Sequence, residues 1–314
     1  MLNVLSVTLP IFAIIALGYG LTLRGVFAPE HMQTLGRFVL QVSLPALLFY
    51  TFATRDLGEV LDIRYLIAVG TGAAATQAVA WTVMRVQGLG PMRRAVAVMG
   101  TGCSNSAFIG YPMLLIVMPE VAAPVLAMNF LVENFIGTPI GLTLLEAARP
   151  NEGASLLKRV GRPVLSVLRR PMVIGLLLGL AFTLTGLPLP ATADRFLSLL
   201  SAPAAPIALF VIGGTLVGLE MRGDVKIAGQ IAAIKLIVHP LMIWLCLGLP
   251  VLFGLGALSP ELVFAALLTG VLPMYTIYTI LAQDSGHSGL AAMALVGATA
   301  ASFFTISLVL LLYL

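Results

Sequence analysis

The chain has 314 residues, of which 60% are hydrophobic and 10% charged, with a formal net charge of +4 and a mean hydropathy of +1.06. Soluble globular domains carry roughly 25% charged residues, so this composition excludes one and describes an integral membrane protein.

Ten apolar runs follow in chain order, at roughly 3–23, 33–53, 65–85, 92–117, 122–146, 172–190, 197–219, 227–252, 261–283 and 289–313. A run of about 18 or more residues can cross a hydrocarbon core of about 30 Å as a helix. Nothing is left over for a soluble domain. The first run has no Lys or Arg before it and reads as a spanning helix rather than a signal peptide. Cys103 and Cys246 both fall inside apolar runs, where they read as small apolar residues and not as a disulfide framework.

When the gaps between runs are assigned alternately to two sides, thirteen Lys and Arg, from Arg24 to Lys226, fall on one side. Only Arg55, Arg64 and Arg195 fall on the other. The positive-inside rule makes the first side cytoplasmic and leaves both termini outside. The basic stretch at 148–170 becomes the longest cytoplasmic loop, its charge explained by topology and anionic lipid rather than by nucleic acid.

A shift of 161 positions lays "PIFAIIALGYGLTLRG" over "PMVIGLLLGLAFTLTG" and continues ungapped, with twelve identities over fifty positions. The matches include Pro10/Pro171, Pro29/Pro190, Pro45/Pro206, Gly18/Gly179 and Phe49/Phe210. A repeat of five helices must have its second copy inverted, because an odd number of crossings reverses orientation. The expected fold is therefore an all-α membrane protein of about ten transmembrane helices. It divides into a first inverted repeat at 1–147, the loop at 148–170 and a second repeat at 171–314. Secondary transporters recurrently use this plan, with substrate at the midplane on discontinuous helices.

The fourth and ninth helices are the expected broken, crossing pair. The fourth carries "TGCSNSAFIGYP" from Thr101 to Pro112, and the ninth carries "LLTGVLPMYTIYTILAQ". Aligning Thr101-Gly102 with Thr269-Gly270 places Asn105 opposite Pro273. Proline removes a backbone hydrogen bond and clashes with the preceding turn, and glycine weakens the helix. The groups so freed survive only where they line a cavity or lie within protein. Ser104, Asn105, Ser106 and Pro112 on one helix, with Pro273, Tyr275, Thr276 and Tyr278 on the other, are the candidate substrate-binding residues. Close packing of small residues is the alternative reading for the individual Ser and Thr; the Asn105 amide is expensive to bury unpaired.

"SNSAFIGYP" followed by "LPMYTIYTILAQ" resembles the auxin efflux carrier family across essentially the whole chain. The resemblance implies a fold like that of bile acid:sodium symporters, transport of small organic anions such as malate, malonate or auxin-like carboxylates, and a homodimer. It also implies that the breaks at Asn105 and Pro273 surround the substrate. One departure concerns the substrate more than the fold: members often carry Asn where this chain has Ile277.

Ionisable residues within the bilayer are functional candidates by default. Glu133, beside Asn134, could carry a coupling proton or bind a cation, or else cap a packing contact. Lys235 and His239, spaced i, i+4, share a helix face and could attract a carboxylate. Lys235 could instead hold a neighbouring break in place or snorkel to the surface. Asp284 reads as interfacial. No acid falls in either break, which favours proton coupling or facilitated movement over sodium.

No phosphate loop, HExxH or GxSxG motif occurs, and no metal or organic cofactor is expected. The composite expectation is a secondary carrier of small organic anions in a bacterial plasma membrane, with membrane lipid around it. A non-transporting receptor or scaffold is the alternative. An intramembrane enzyme lacks its catalytic set.

Overall fold

The computed structural model describes every residue except 1–3, 56, 150–168, 220, 222, 284 and 314. Most of the basic loop expected at 148–170, the side assigned to Arg222 and the interfacial place given to Asp284 lie outside the described residues. The described chain is helical throughout, apart from turns and one isolated antiparallel pairing of Ser104 with Met274.

In chain order the helices are α1 (Val4–Leu23), α2 (Pro29–Ala53), α3 (Ile63–Val86), α4 (Pro91–Met99), α5 (Ser106–Val117), α6 (Pro119–Ala148), α7 (Pro171–Thr183), α8 (Ala191–Thr215), α9 (Val225–Leu252), α10 (Pro260–Val271), α11 (Ile277–Gln283) and α12 (Ser288–Tyr313). A four-residue helix, Leu57–Val60, precedes α3. Among the described residues, α1, α2, α3, α6, α8, α9 and α12 are long and apolar enough to cross a membrane; α5, α7 and α10 are shorter apolar helices. The protein is thus an all-helical, multi-pass membrane protein.

Several boundaries follow from local chemistry. Helices α2, α4, α6, α7 and α10 each begin on proline, whose missing N–H costs nothing in a first turn. The apolar run at 172–190 ends as a helix at Thr183, because Gly186 takes φ 66° and Pro188 and Pro190 follow. Helix α8 begins at Ala191 rather than at 197, since the more polar Ala191–Ser201 segment is also helical; the chain turns at Ala202–Pro203 before Ala204–Thr215.

Four π segments interrupt the described helices: Val39–Ser43, Ser106–Gly110, Glu133–Gly137 and Ile234–Val238. Each ends two residues before a proline: Pro45, Pro112, Pro139 and Pro240. The proline ring crowds the carbonyl four residues back and donates nothing to it, so the helix widens ahead of the ring. Leu44, Thr138 and His239, each immediately before its proline, accordingly donate to the carbonyl five residues back.

The helices form two compact units, and the chain passes between them within α5, after Ser106, and within α6, after Met128. In the first unit α1 packs on α8 and α2 on α7. Both contacts are backbone-close: a β-carbon on Gly18 would lie 2.1 Å from the Phe210 carbonyl oxygen, and one on Gly179 would lie 2.6 Å from that of Phe49. These two contacts exchange partners under the 161-residue shift. In the second unit α3 packs on α9 and α9 on α10. There a β-carbon on Gly72 would sit 2.8 Å from Ile243 Cα, and one on Gly270 2.8 Å from Pro240 Cα. Small residues let membrane helices approach this closely, where apolar surface alone gives no preference for helix over lipid.

Candidate functional site: two paired helix breaks

Helix α4 stops at Gly100, and residues 102–105 run non-helical before α5 begins. Helix α10 stops at Leu272, whose ψ of 152° is extended, and α11 starts five residues later. The unwound segments meet in the second unit: the Asn105 N–H donates to the Pro273 carbonyl at 2.9 Å, within the antiparallel pairing of Ser104 and Met274.

A helix end leaves up to four carbonyls without partners, and inside a membrane these must be satisfied within the protein. At the end of α10 three successive carbonyls each receive a side-chain donor. Ser104 Oγ donates to Thr269 O at 2.7 Å, Lys235 Nζ to Gly270 O at 2.9 Å and Thr305 Oγ1 to Val271 O at 3.0 Å. Lys235 is fully buried, so it does not snorkel; its ammonium sits at the negative end of the α10 dipole.

The complementary arrangement occurs at the start of α5. Ser106 Oγ donates to Glu133 Oε1 at 2.5 Å, which brings a carboxylate to the positive end of that helix. Glu133 and Lys235 lie within electrostatic reach of one another. An acidic and a basic side chain thus stand at opposite helix ends, each placed where the local dipole favours its charged form.

A buried network fixes the α10 end from its other side. Tyr65 OH donates to Asn129 Oδ1 at 2.9 Å, and Asn129 Nδ2 donates to Thr269 Oγ1 at 2.8 Å. Gln77 Nε2 donates to Gly137 O at 3.0 Å, while its side chain lies against Gly102, which has no room for a β-carbon.

Of the candidate residues, Ser104, Asn105, Ser106, Pro273, Glu133 and Lys235 come together at the breaks. Asn105 is 3% exposed, and no described group hydrogen-bonds its side-chain amide. Tyr275 and Thr276 are half-buried in the second unwound segment, and Tyr275 reaches Cys103. Tyr278 is fully buried against Gly100. Its hydroxyl packs within the protein rather than shaping an open pocket. Asn134 turns back on its own helix, its amide donating to Phe130 O at 2.8 Å. Lys235 and His239 meet different hydrogen-bond partners, though the two remain within electrostatic reach of one another. Lys235 lies within the Ile234–Val238 π segment and reaches Gly270 O, while His239 just beyond it meets Thr76 Oγ1 through Nδ1 at 3.0 Å. Pro112 belongs to the first unit, where it accounts for the widened turn of α5.

Tyr65, Gln77, Thr269 and Thr305 carry site contacts that the sequence reading did not assign. The available signal was a polar residue within an apolar run, as at Gln77, but helical spacing alone does not say which face meets the break.

The family described as "Membrane transport protein" matches residues 4–310. The chain belongs to this, the auxin efflux carrier family. A relative from Rhizobium meliloti, named "Putative malonate transporter", is 27% identical over 296 residues, which is 91% of this chain and 88% of that protein. An "Uncharacterized transporter" from Methanothermobacter thermautotrophicus is 29% identical over 245 residues, 74% of this chain and 75% of that one. A mouse "Lysosomal cholesterol signaling protein" is 27% identical over 247 residues, matching 74% of this chain but 28% of its own length. This member of the auxin efflux carrier family is therefore a membrane transport protein and not an enzyme.

Proposed function

We propose that the protein is a secondary carrier of small organic anions, working by alternating access about the paired breaks. The observation that carries this reading is the Asn105 amide, buried beside the Asn105–Pro273 backbone bond with no described hydrogen-bond partner. Its polar atoms are not fully enclosed, so the amide keeps some exposure and can donate to a carboxylate bound at the break. Lys235 adds positive charge to the same region, and Glu133 offers a carboxylate that can take up a coupling proton. The relative named for malonate supports the organic-anion class. The exchanged contacts Gly18–Phe210 and Gly179–Phe49 support an internal repeat; a five-plus-five inverted arrangement, both termini outside a bacterial plasma membrane and assembly as a homodimer belong to the same proposal.

The test is uptake of labelled malate, malonate and indole acetate into proteoliposomes, with and without a pH or sodium gradient, by wild type and Asn105→Ala. Losing one hydrogen bond to a charged group costs about 1.5–3 kcal/mol, so uptake at limiting substrate falls roughly ten- to hundredfold. Equal uptake by the two proteins removes Asn105 from the site. Binding without counterflow exchange favours a receptor.

A further inference from the structure

Two arginines of the second unit converge on a single indole. The Arg85 guanidinium carbon lies 4.8 Å from the Trp81 ring centroid and that of Arg94 lies 5.2 Å away. Arg85 follows Trp81 by one turn on α3, and Arg94 comes from the first turn of α4. An indole face attracts a guanidinium, but it leaves the repulsion between two cations uncompensated. Nearby arginines are treated differently: Arg93 pairs with Asp224 at 3.1 Å and Arg149 with Glu146 at 2.7 Å. Among the described residues neither Arg85 nor Arg94 has a carboxylate partner.

Beside this pair lies a cavity of about 110 Å³, walled by Trp81, Pro91, Arg94, Ala95, Leu144 and Ala148. Leu144 also borders a second, open hollow of about 350 Å³ that continues along one face of α6 to Phe135 and is mostly apolar. This groove runs over the end of the Glu133–Gly137 π segment and over Pro139, where the regular ridge of helical side chains is interrupted. Its one hydroxyl, on Thr143, is already bonded to Pro139 O at 2.7 Å, and Phe135 at the far end is 44% exposed. From Leu144 to Phe135 the helix rises about 13 Å at 1.5 Å per residue, close to half of a hydrocarbon core of about 30 Å. A cationic end and an apolar trough one leaflet long match the two parts of a single lipid.

We propose that Arg85, Trp81 and Arg94, with the groove along α6, form a binding site for an anionic phospholipid. The phosphate sits between the two guanidiniums, the indole lies at the glycerol level where tryptophan is favoured, and an acyl chain fills the trough. A soluble organic anion would use the arginines but gain nothing from the groove.

The experiment is native mass spectrometry of the detergent-purified protein, supplied with equimolar phosphatidylglycerol and phosphatidylethanolamine of identical chains. Wild type is expected to retain phosphatidylglycerol preferentially, by about fivefold for each arginine near the headgroup, because the ammonium of phosphatidylethanolamine offsets the charge of its phosphate. The Arg85→Gln/Arg94→Gln variant loses that preference, and excess glycerol phosphate leaves the wild-type lipid in place. Thr143→Trp, which obstructs the trough and leaves both charges, lowers retention of both lipids. Single Arg85→Gln, at the exposed end of α3, is the second variant should the double one elute as aggregate, and it loses about half of the preference on a logarithmic scale. Equal retention of the two lipids by wild type overturns the proposal, as does a preference that survives both substitutions. Displacement of lipid by glycerol phosphate overturns it in favour of a free-anion site.

Discussion

In the first unit the buried polar side chains are hydroxyls, Thr8, Thr22, Ser43, Thr51 and Ser201, whereas every buried Asn, Gln, Lys and His among the described residues lies in the second. Three of these hydroxyls are used locally, Thr8 donating to Val4 O, Thr51 to Leu47 O and Ser201 to Ser198 O, each on its own helix, while those of Thr22 and Ser43 are buried without a hydrogen-bond partner among the described residues. Helix association there rests on glycines such as Gly18 and Gly179 that bring backbones together. The second unit has close-packed glycines too, but adds fully buried polar bonds between helices, where the first unit's interhelical bonds, Tyr50 to Asp194 and Thr183 to Phe52 O, are only partly buried. Such bonds average only about 0.6 kcal/mol in membranes, so assembly alone gives little reason to prefer them to packing. Their location supplies the reason: Ser104, Lys235 and Thr305 go to carbonyls that the break in α10 has freed. Polar side chains are concentrated where continuous helix has been given up.

The strongest test of that contrast is Lys235→Met. It leaves the Gly270 carbonyl without its donor and Glu133 without its nearby positive charge. Removing one member of a buried charged arrangement costs about 3–5 kcal/mol. The expected result is a large fall in thermal stability and loss of uptake together; a stable, transporting Lys235→Met protein would break the comparison. Next come Gly18→Val and Gly179→Val in the first unit, each expected to cost about 1–3 kcal/mol through overpacking. Because they exchange places under the 161-residue shift, their stability losses should be similar, while uptake per folded molecule stays near wild type. A changed substrate KM in either would show that glycine packing in the first unit also tunes the site. Markedly unequal losses would weaken the repeat.

Much of this arrangement can be read from the residues. Composition and run length give the membrane class and most helix positions, because satisfying a backbone in hydrocarbon leaves few alternatives to a helix. The two breaks announce themselves as Gly, Ser, Asn and Pro amid apolar sequence, and aligning Thr101-Gly102 with Thr269-Gly270 sets Asn105 against Pro273, the pair whose backbones are bonded. What the sequence leaves open is which polar side chain serves which freed group. Lys235 and His239 sit four apart and share a face on a regular helix, yet one reaches Gly270 from within the π segment and the other, just beyond it, meets Thr76. Tyr65, Asn129 and Thr269 are distant in sequence and become a network only once three helices have packed.

The smallest effect is expected outside the buried network, at Asp224. Its carboxylate accepts from the backbone N–H groups of Ile227 and Lys226 at the start of α9 and pairs with Arg93. The hydrogen bond from Ile227 is the largest of the influences that hold its pKa below the ordinary 3.8. A group whose pKa is lowered by folding stabilises the fold while it is ionised. That contribution is therefore complete above the ordinary value and lost as pH falls through the lowered one. Asp224→Ala should lower the melting temperature slightly at neutral pH, the difference from wild type should close on strong acidification, and uptake per folded molecule should not change. If Asp224→Ala instead abolished uptake, the division between a polar network that serves the breaks and a periphery that serves only stability would fail at its edge.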